Sequence, residues 1–126
     1  MQAFGPLAGL AGRILLAQIF VISGLAKFPN GAEMGARLAD AGLPGFLIYV
    51  AGAFELLAGI AIILGFQTRL AALGLSGFCV LTAIMFHNNF ADQTQVVMFL
   101  KNIALAGGLL LLVRDGAGAY SLESRR

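Results

Sequence analysis

Residues 46–66 read FLIYVAGAFELLAGIAIILGF, an apolar run interrupted by a single charge, Glu55, near its middle. A helix needs about 20 such residues to cross a hydrocarbon core of about 30 Å. The run lacks the apolar–polar alternation of a membrane-barrel strand, and a helix satisfies every backbone group internally, as lipid demands. A transmembrane helix is therefore the reading. Three more stretches of the same kind lie around it, at about 7–27, 70–87 and 96–113. The first is interrupted by Arg13, Gln18 and Ser23, the second is uncharged up to His87, and the third carries Lys101 and Asn102 near its start. The expected fold is an all-α membrane protein, a four-transmembrane-helix bundle in which frequent glycine is tolerated as it would not be in soluble helices.

The composition agrees. Apolar residues make up 60% of the 126 and charged residues 11%, against roughly 25% charged in ordinary soluble domains, which leaves too little polar surface to face water. The length fits one domain, 1–114, followed by a Gly- and Ser-rich tail, 115–126, read as mobile. The formal charge of +2 is scattered rather than clustered, so nucleic-acid binding is not expected. One cysteine, Cys79, excludes an intrachain disulfide, a cysteine-based zinc cluster and a CxxC redox motif, and no metal site is expected. Met1 to Gly12 holds no Lys or Arg, unlike a signal peptide, so the first stretch is expected to stay in the protein.

The connections fall at breaking signals. Phe28-Pro29-Asn30-Gly31 ends the first span, because proline forces its predecessor out of the α region, and Gly42-Leu43-Pro44-Gly45 precedes the second. Between them, Ala32 to Ala41 places Met34, Leu38 and Ala41 at helical spacing among Glu33, Arg37 and Asp40, the pattern of a short amphipathic helix at the interface. The tight Gly65-Phe66-Gln67-Thr68-Arg69 connection makes the second and third spans antiparallel neighbours. Arg13, Arg69, Arg114, Arg125 and Arg126 fall on one side and Lys27, Arg37 and Lys101 on the other, which favours cytoplasmic termini under the positive-inside rule. Gly5-xxx-Gly9 and Ala104-xxx-Gly108 offer close helix approach, or simply reflect abundant glycine and alanine.

Ionisable groups at membrane depth carry the functional information, because each costs roughly 2.5 to 3.5 kcal/mol at a helix centre unless paired or wetted. Glu55 lies roughly 13 Å below the outer interface at 1.5 Å per residue, where it must protonate or find a cation. Arg13 from one side and Lys101 from the other are the expected partners. The alternative is a buried ion pair that fixes helix register without chemistry. Arg13 and Lys27 share one face of the first helix within about 40°, and Lys27 alone reads as an interfacial snorkelling residue. His87, the single histidine, has the chemistry for proton transfer near an interface. Lys27, His87, Asp92, Lys101 and Asn102 are expected to gather at the outer end of the bundle, with Glu55 below them. Cys79 reads as an inert buried thiol.

Taken in order, Gly12-Arg13-Ile14-Leu15-Leu16, Phe20 to Lys27, Ala41-Gly42-Leu43-Pro44, Glu55-Leu56-Leu57-Ala58-Gly59, Thr68-Arg69, Phe86-His87 and Phe99-Leu100-Lys101-Asn102 resemble the DoxX family of small bacterial membrane proteins over nearly the whole chain. The resemblance implies a multi-pass inner-membrane protein, a candidate oxidoreductase or accessory subunit of a redox system associated with quinones, sulfur oxidation or catechols. It maps recurring polar positions onto Arg13, Ser23, Lys27, Glu55, His87, Lys101 and Asn102. Asn88 and Asn89 intervene where the family often has aromatics after its histidine.

The leading functional expectation is a redox-associated module that binds a quinone or similar lipophilic aromatic within the bundle. Glu55 and His87 would be its catalytic, proton-handling groups, and Arg13, Lys27, Lys101 and Asn102 would bind substrate. The chain shows no flavin, haem or iron–sulfur motif, so a soluble redox partner or second substrate would bring electrons. The alternatives are a noncatalytic membrane scaffold for such a partner and a small solute or lipid carrier. Four short helices also leave a homodimer open.

Overall fold

The computed structural model describes residues 4–122, all helix and connecting turns. Five helices follow one another: α1 (Phe4–Ala26), α2 (Gly31–Asp40), α3 (Leu47–Leu64), α4 (Thr68–Phe86) and α5 (Gln93–Asp115). All but α2 are long and apolar enough to cross a membrane. The expected spans are recovered with shifted ends. The last begins at Gln93 rather than 96, because Asp92 N-caps it, its carboxylate accepting from the Thr94 amide at 3.0 Å and satisfying one of the free donors of a helix start. Between α3 and α4, Gly65 takes a left-handed conformation (φ 74°) and the Phe66 amide reaches back to the Ala61 carbonyl at 2.9 Å, a glycine-ended helix stop.

The four long helices form two antiparallel pairs, α1 with α3 and α4 with α5, and these pairs carry most of the contact between elements. The α1–α3 seam is built on backbone proximity. A methyl group at Gly24 would lie 2.7 Å from the Gly52 carbonyl, and one at Gly59 would lie 2.9 Å from Val21. At Gly5 and Gly9 the reading of simply abundant glycine is the one that fits, since an added methyl would meet nothing within 4 Å, whereas one at Gly108 would be in ordinary contact with Leu16 at 3.7 Å. A glycine stripe matters only where another backbone faces it, and the stripe on α1 that faces α3 is centred on Ala17, Val21 and Gly24. In the α4–α5 pair, Ser76 donates to the Ala106 carbonyl at 3.3 Å, while Ala72, Leu75, Cys79 and Leu109 join the shared core.

Contact between the pairs is thinner and concentrated where α3 meets α4, including the Phe54 and Phe78 rings, 5.9 Å apart. The outer surface of the long helices is predominantly apolar, with Leu15, Ile22, Leu57, Leu70 and Leu111 all more than half exposed. Only Ala106 and Leu109 of α5 are buried. A surface of this kind is what acyl chains solvate and water does not.

The amphipathic α2 lies against the start of α3. Gly35 meets the Gly45 backbone, where a methyl would sit 3.0 Å from its carbonyl, and Gly31 packs on the Tyr49 ring. As far as it is described, the tail read as mobile from Asp115 folds back on the bundle. Ala117 is buried, the Tyr120 carbonyl accepts from Arg13, and the Leu122 amide donates to the Leu64 carbonyl at 3.0 Å. Residues 123–126 lie outside the described part.

Candidate functional site

Because the two helix pairs touch chiefly along α3 and α4, they separate toward the α2 end and leave a cavity of about 560 Å³. Phe20 of α1, Phe78 of α4 and Leu105 of α5 form its apolar depth, and α2 contributes Met34, Arg37 and Leu38. That volume lies within the roughly 300–1,000 Å³ typical of small-molecule sites.

Glu55, 2% exposed, faces this cavity, and its partner is Lys27. The Lys27 ammonium lies 2.6 Å from Glu55 Oε1 and also donates to Ser23 Oγ at 2.9 Å. The expectation of Lys27 as a snorkelling residue is thereby corrected. The Gly24–Gly52 contact presses α1 so close to α3 that a methyl on Gly52 would lie 3.0 Å from Lys27 Cβ, which brings the ammonium alongside the carboxylate.

Arg13 is corrected in the other direction. It is 1% exposed but turns away from Glu55 toward the opposite end of α3. There its Nη1 donates to the Ile62 and Ile63 carbonyls at 2.9 Å each and its Nη2 donates to Tyr120. The last carbonyls of a helix form the negative end of its dipole, so they hold the guanidinium, although the Ile62 carbonyl also accepts from the Gly65 amide at 3.2 Å. Arg13 is a tie between α1, α3 and the tail rather than a cavity residue.

On the α4–α5 wall, His87 Nδ1 and Gln95 Oε1 are 3.0 Å apart, joining the end of α4 to the first turn of α5. The Asn102 amide donates to Thr82 Oγ1 at 3.0 Å and approaches the Cys79 carbonyl at 3.4 Å, while Thr82 in turn donates to that carbonyl at 3.2 Å. Asn102 thus spends its donors on holding α4 to α5, and its side-chain oxygen is what remains for a ligand. Lys101 lines the cavity from α5 while staying exposed. Asp92, expected in the same cluster, is occupied as the α5 cap.

The site therefore unites Lys27, Glu55, His87, Lys101 and Asn102 and leaves out Arg13. Sequence reasoning passed over Thr82 and Gln95, and gave Ser23 only through the resemblance. A signal for Gln95 was present: Gln95, Met98, Asn102 and Leu105 all line the cavity at the three- and four-residue spacing of one helix face.

Comparison with known proteins points one way. The DoxX family's sequence model matches residues 8–88. The chain is 40% identical over 123 residues to inner membrane protein YqjF of Escherichia coli, covering 98% of this chain and 95% of that one. It is 34% identical over 129 residues to inner membrane protein YphA of the same organism, covering 95% and 91%. A shorter likeness, 34% over 58 residues, covers 46% of this chain and 43% of a Bacillus subtilis protein named "Putative oxidoreductase CatD". No solved structure matches.

Proposed function

The chain belongs to the DoxX family, and from that premise we propose that it is a redox-associated module of the bacterial inner membrane that binds a quinone, or a similar lipophilic aromatic, between its two helix pairs. The observation that carries this reading is the cavity itself: a largely apolar space of about 560 Å³ between the helix pairs, lined also by Lys27, Glu55, His87, Lys101 and Asn102. Two of its relatives are named as inner membrane proteins, and a third bears the name "Putative oxidoreductase CatD".

A quinone needs hydrogen-bond donors at its carbonyls and takes up two protons with two electrons on reduction to the quinol. Lys101 can donate to a carbonyl. His87, oriented by Gln95, can pass a proton from its other ring nitrogen, and Glu55 is the carboxylate able to exchange a proton inside the membrane. The Asn102 side-chain oxygen is suited to accept from the quinol hydroxyl. Electrons would come from a soluble redox partner or a second substrate.

Calorimetric titration of the purified protein with a short-chain quinone tests this. Saturable heat is expected, weakened by Glu55→Gln and by Lys101→Met, and undiminished binding in both variants would refute the site. A second reading, a noncatalytic scaffold, draws on the Lys27–Glu55–Ser23 contacts, which suffice by themselves to lock α1 to α3. It predicts no heat from quinone but a redox enzyme that co-purifies.

A further inference from the structure

The two walls of the cavity differ in charge. On the α1–α3 wall, Lys27 and Glu55 neutralise each other at 2.6 Å. From α2, Arg37 has Glu33 3.6 Å away, both largely exposed. On the α4–α5 wall, Lys101 lines the cavity, and among the described residues no carboxylate lies within ion-pair distance of it. The remaining carboxylates at this end do not compensate it. Asp40 and Asp92 are exposed and lie outside the lining, and Asp92 is engaged with the Thr94 amide. One fixed positive charge is left on a wall whose neighbours are apolar or neutral.

We propose, on the premise that this cavity holds a lipophilic aromatic, that its preferred ligand is an organic anion: an aromatic ring with an ionised hydroxyl, as in a hydroxyquinone or a phenolate, its oxygen set against the Lys101 ammonium. A hydrogen bond between two charged groups is roughly twice as strong as a neutral one, and Coulomb attraction grows as the surroundings become less polar. The ring of such an anion spreads its charge over several atoms, which suits it to walls formed by Phe20, Phe78 and Leu105. An uncharged quinone offers Lys101 only a carbonyl.

The test titrates the full-length protein in one detergent with two probes of matched ring size. Lawsone carries a hydroxyl that is ionised at neutral pH, and menadione carries a methyl group in its place and no charge. Lawsone is expected to bind about tenfold more tightly, the step between a neutral and a charge-assisted hydrogen bond. Lys101→Met should bring the two probes to similar affinity, and Lys101→Arg should restore the preference. Lawsone binding no better than menadione, or a preference that survives Lys101→Met, overturns the assignment of an anion but leaves the aromatic site standing. Binding of neither probe overturns both. The wild-type comparison decides without any variant, so a poorly folding Lys101→Met chain leaves the test intact.

Discussion

A carboxylate at membrane depth persists by protonation, by water or by a cation, and Glu55 has the cation, with Lys27 at 2.6 Å. Removing one partner of a buried pair typically costs about 3–5 kcal/mol, because the other charge is stranded, whereas replacing both with apolar residues is often close to neutral. Lys27→Met and Glu55→Leu should therefore each lower the thermal midpoint of the detergent-solubilised protein sharply. The double variant should recover most of the loss. If it also loses quinone binding while it stays folded, the pair serves the ligand as well as the fold; retained binding would leave it a helix lock. The sequence identified Glu55 as the group in need of a partner but offered Arg13 and Lys101 and passed over Lys27, which is the one that pairs with it. That choice depends on the register between α1 and α3, which no local pattern encodes.

Among the elements, the α1–α3 pair depends on the absence of side chains. Gly24→Ala would place a methyl 2.7 Å from the Gly52 carbonyl, and backbone cannot yield as a flexible side chain can. Such overpacking typically costs about 1–3 kcal/mol. Gly107, with nothing within 4 Å, is the control. Alanine there should be neutral or stabilising by up to about 1 kcal/mol, the helix-propensity difference. Thermal unfolding of the two variants side by side checks the contrast, and equal midpoints would mean that the seam is not under packing constraint. The site depends on this seam too, since splaying α1 from α3 would part Lys27 from Glu55. The helices themselves were legible from hydropathy and turn residues, yet the small-residue pairs that the sequence offered, Gly5 with Gly9 and Ala104 with Gly108, are not the ones at the tight α1–α3 seam. Spacing shows that a stripe exists, whereas what faces it is a tertiary fact.

For the molecule as a whole, charge on the two ends predicts an orientation. Arg13, Arg69 and Arg114 lie toward the end where α3 turns into α4, whereas α2 and the α4–α5 connection, with Lys27, Arg37 and Lys101, occupy the other. With Arg125 and Arg126 counted at the first end, as the sequence reading has them, the positive-inside rule predicts that end in the cytoplasm and the cavity toward the outer leaflet. Single cysteines introduced at Asn89 and at Gln67 test this, because the native Cys79 is buried. A membrane-impermeant maleimide added to intact spheroplasts should label Asn89→Cys and spare Gln67→Cys, and the reverse pattern would invert the topology.

Read alone, the sequence determined that the chain crosses a membrane four times, that a short amphipathic helix follows the first crossing, and that Glu55 cannot be solitary. Each of these follows from length, hydropathy or the desolvation of a single charge, which are properties of a segment by itself. Tertiary structure alone decided that Lys27 rather than Arg13 meets Glu55, that Arg13 gathers the last carbonyls of α3 together with the tail, and that Lys101 faces a cavity without a counter-charge. These outcomes rest on how closely Gly24 and Gly52 let two backbones approach and on where the two helix pairs part, contacts between residues far apart in the chain that neither partner specifies alone.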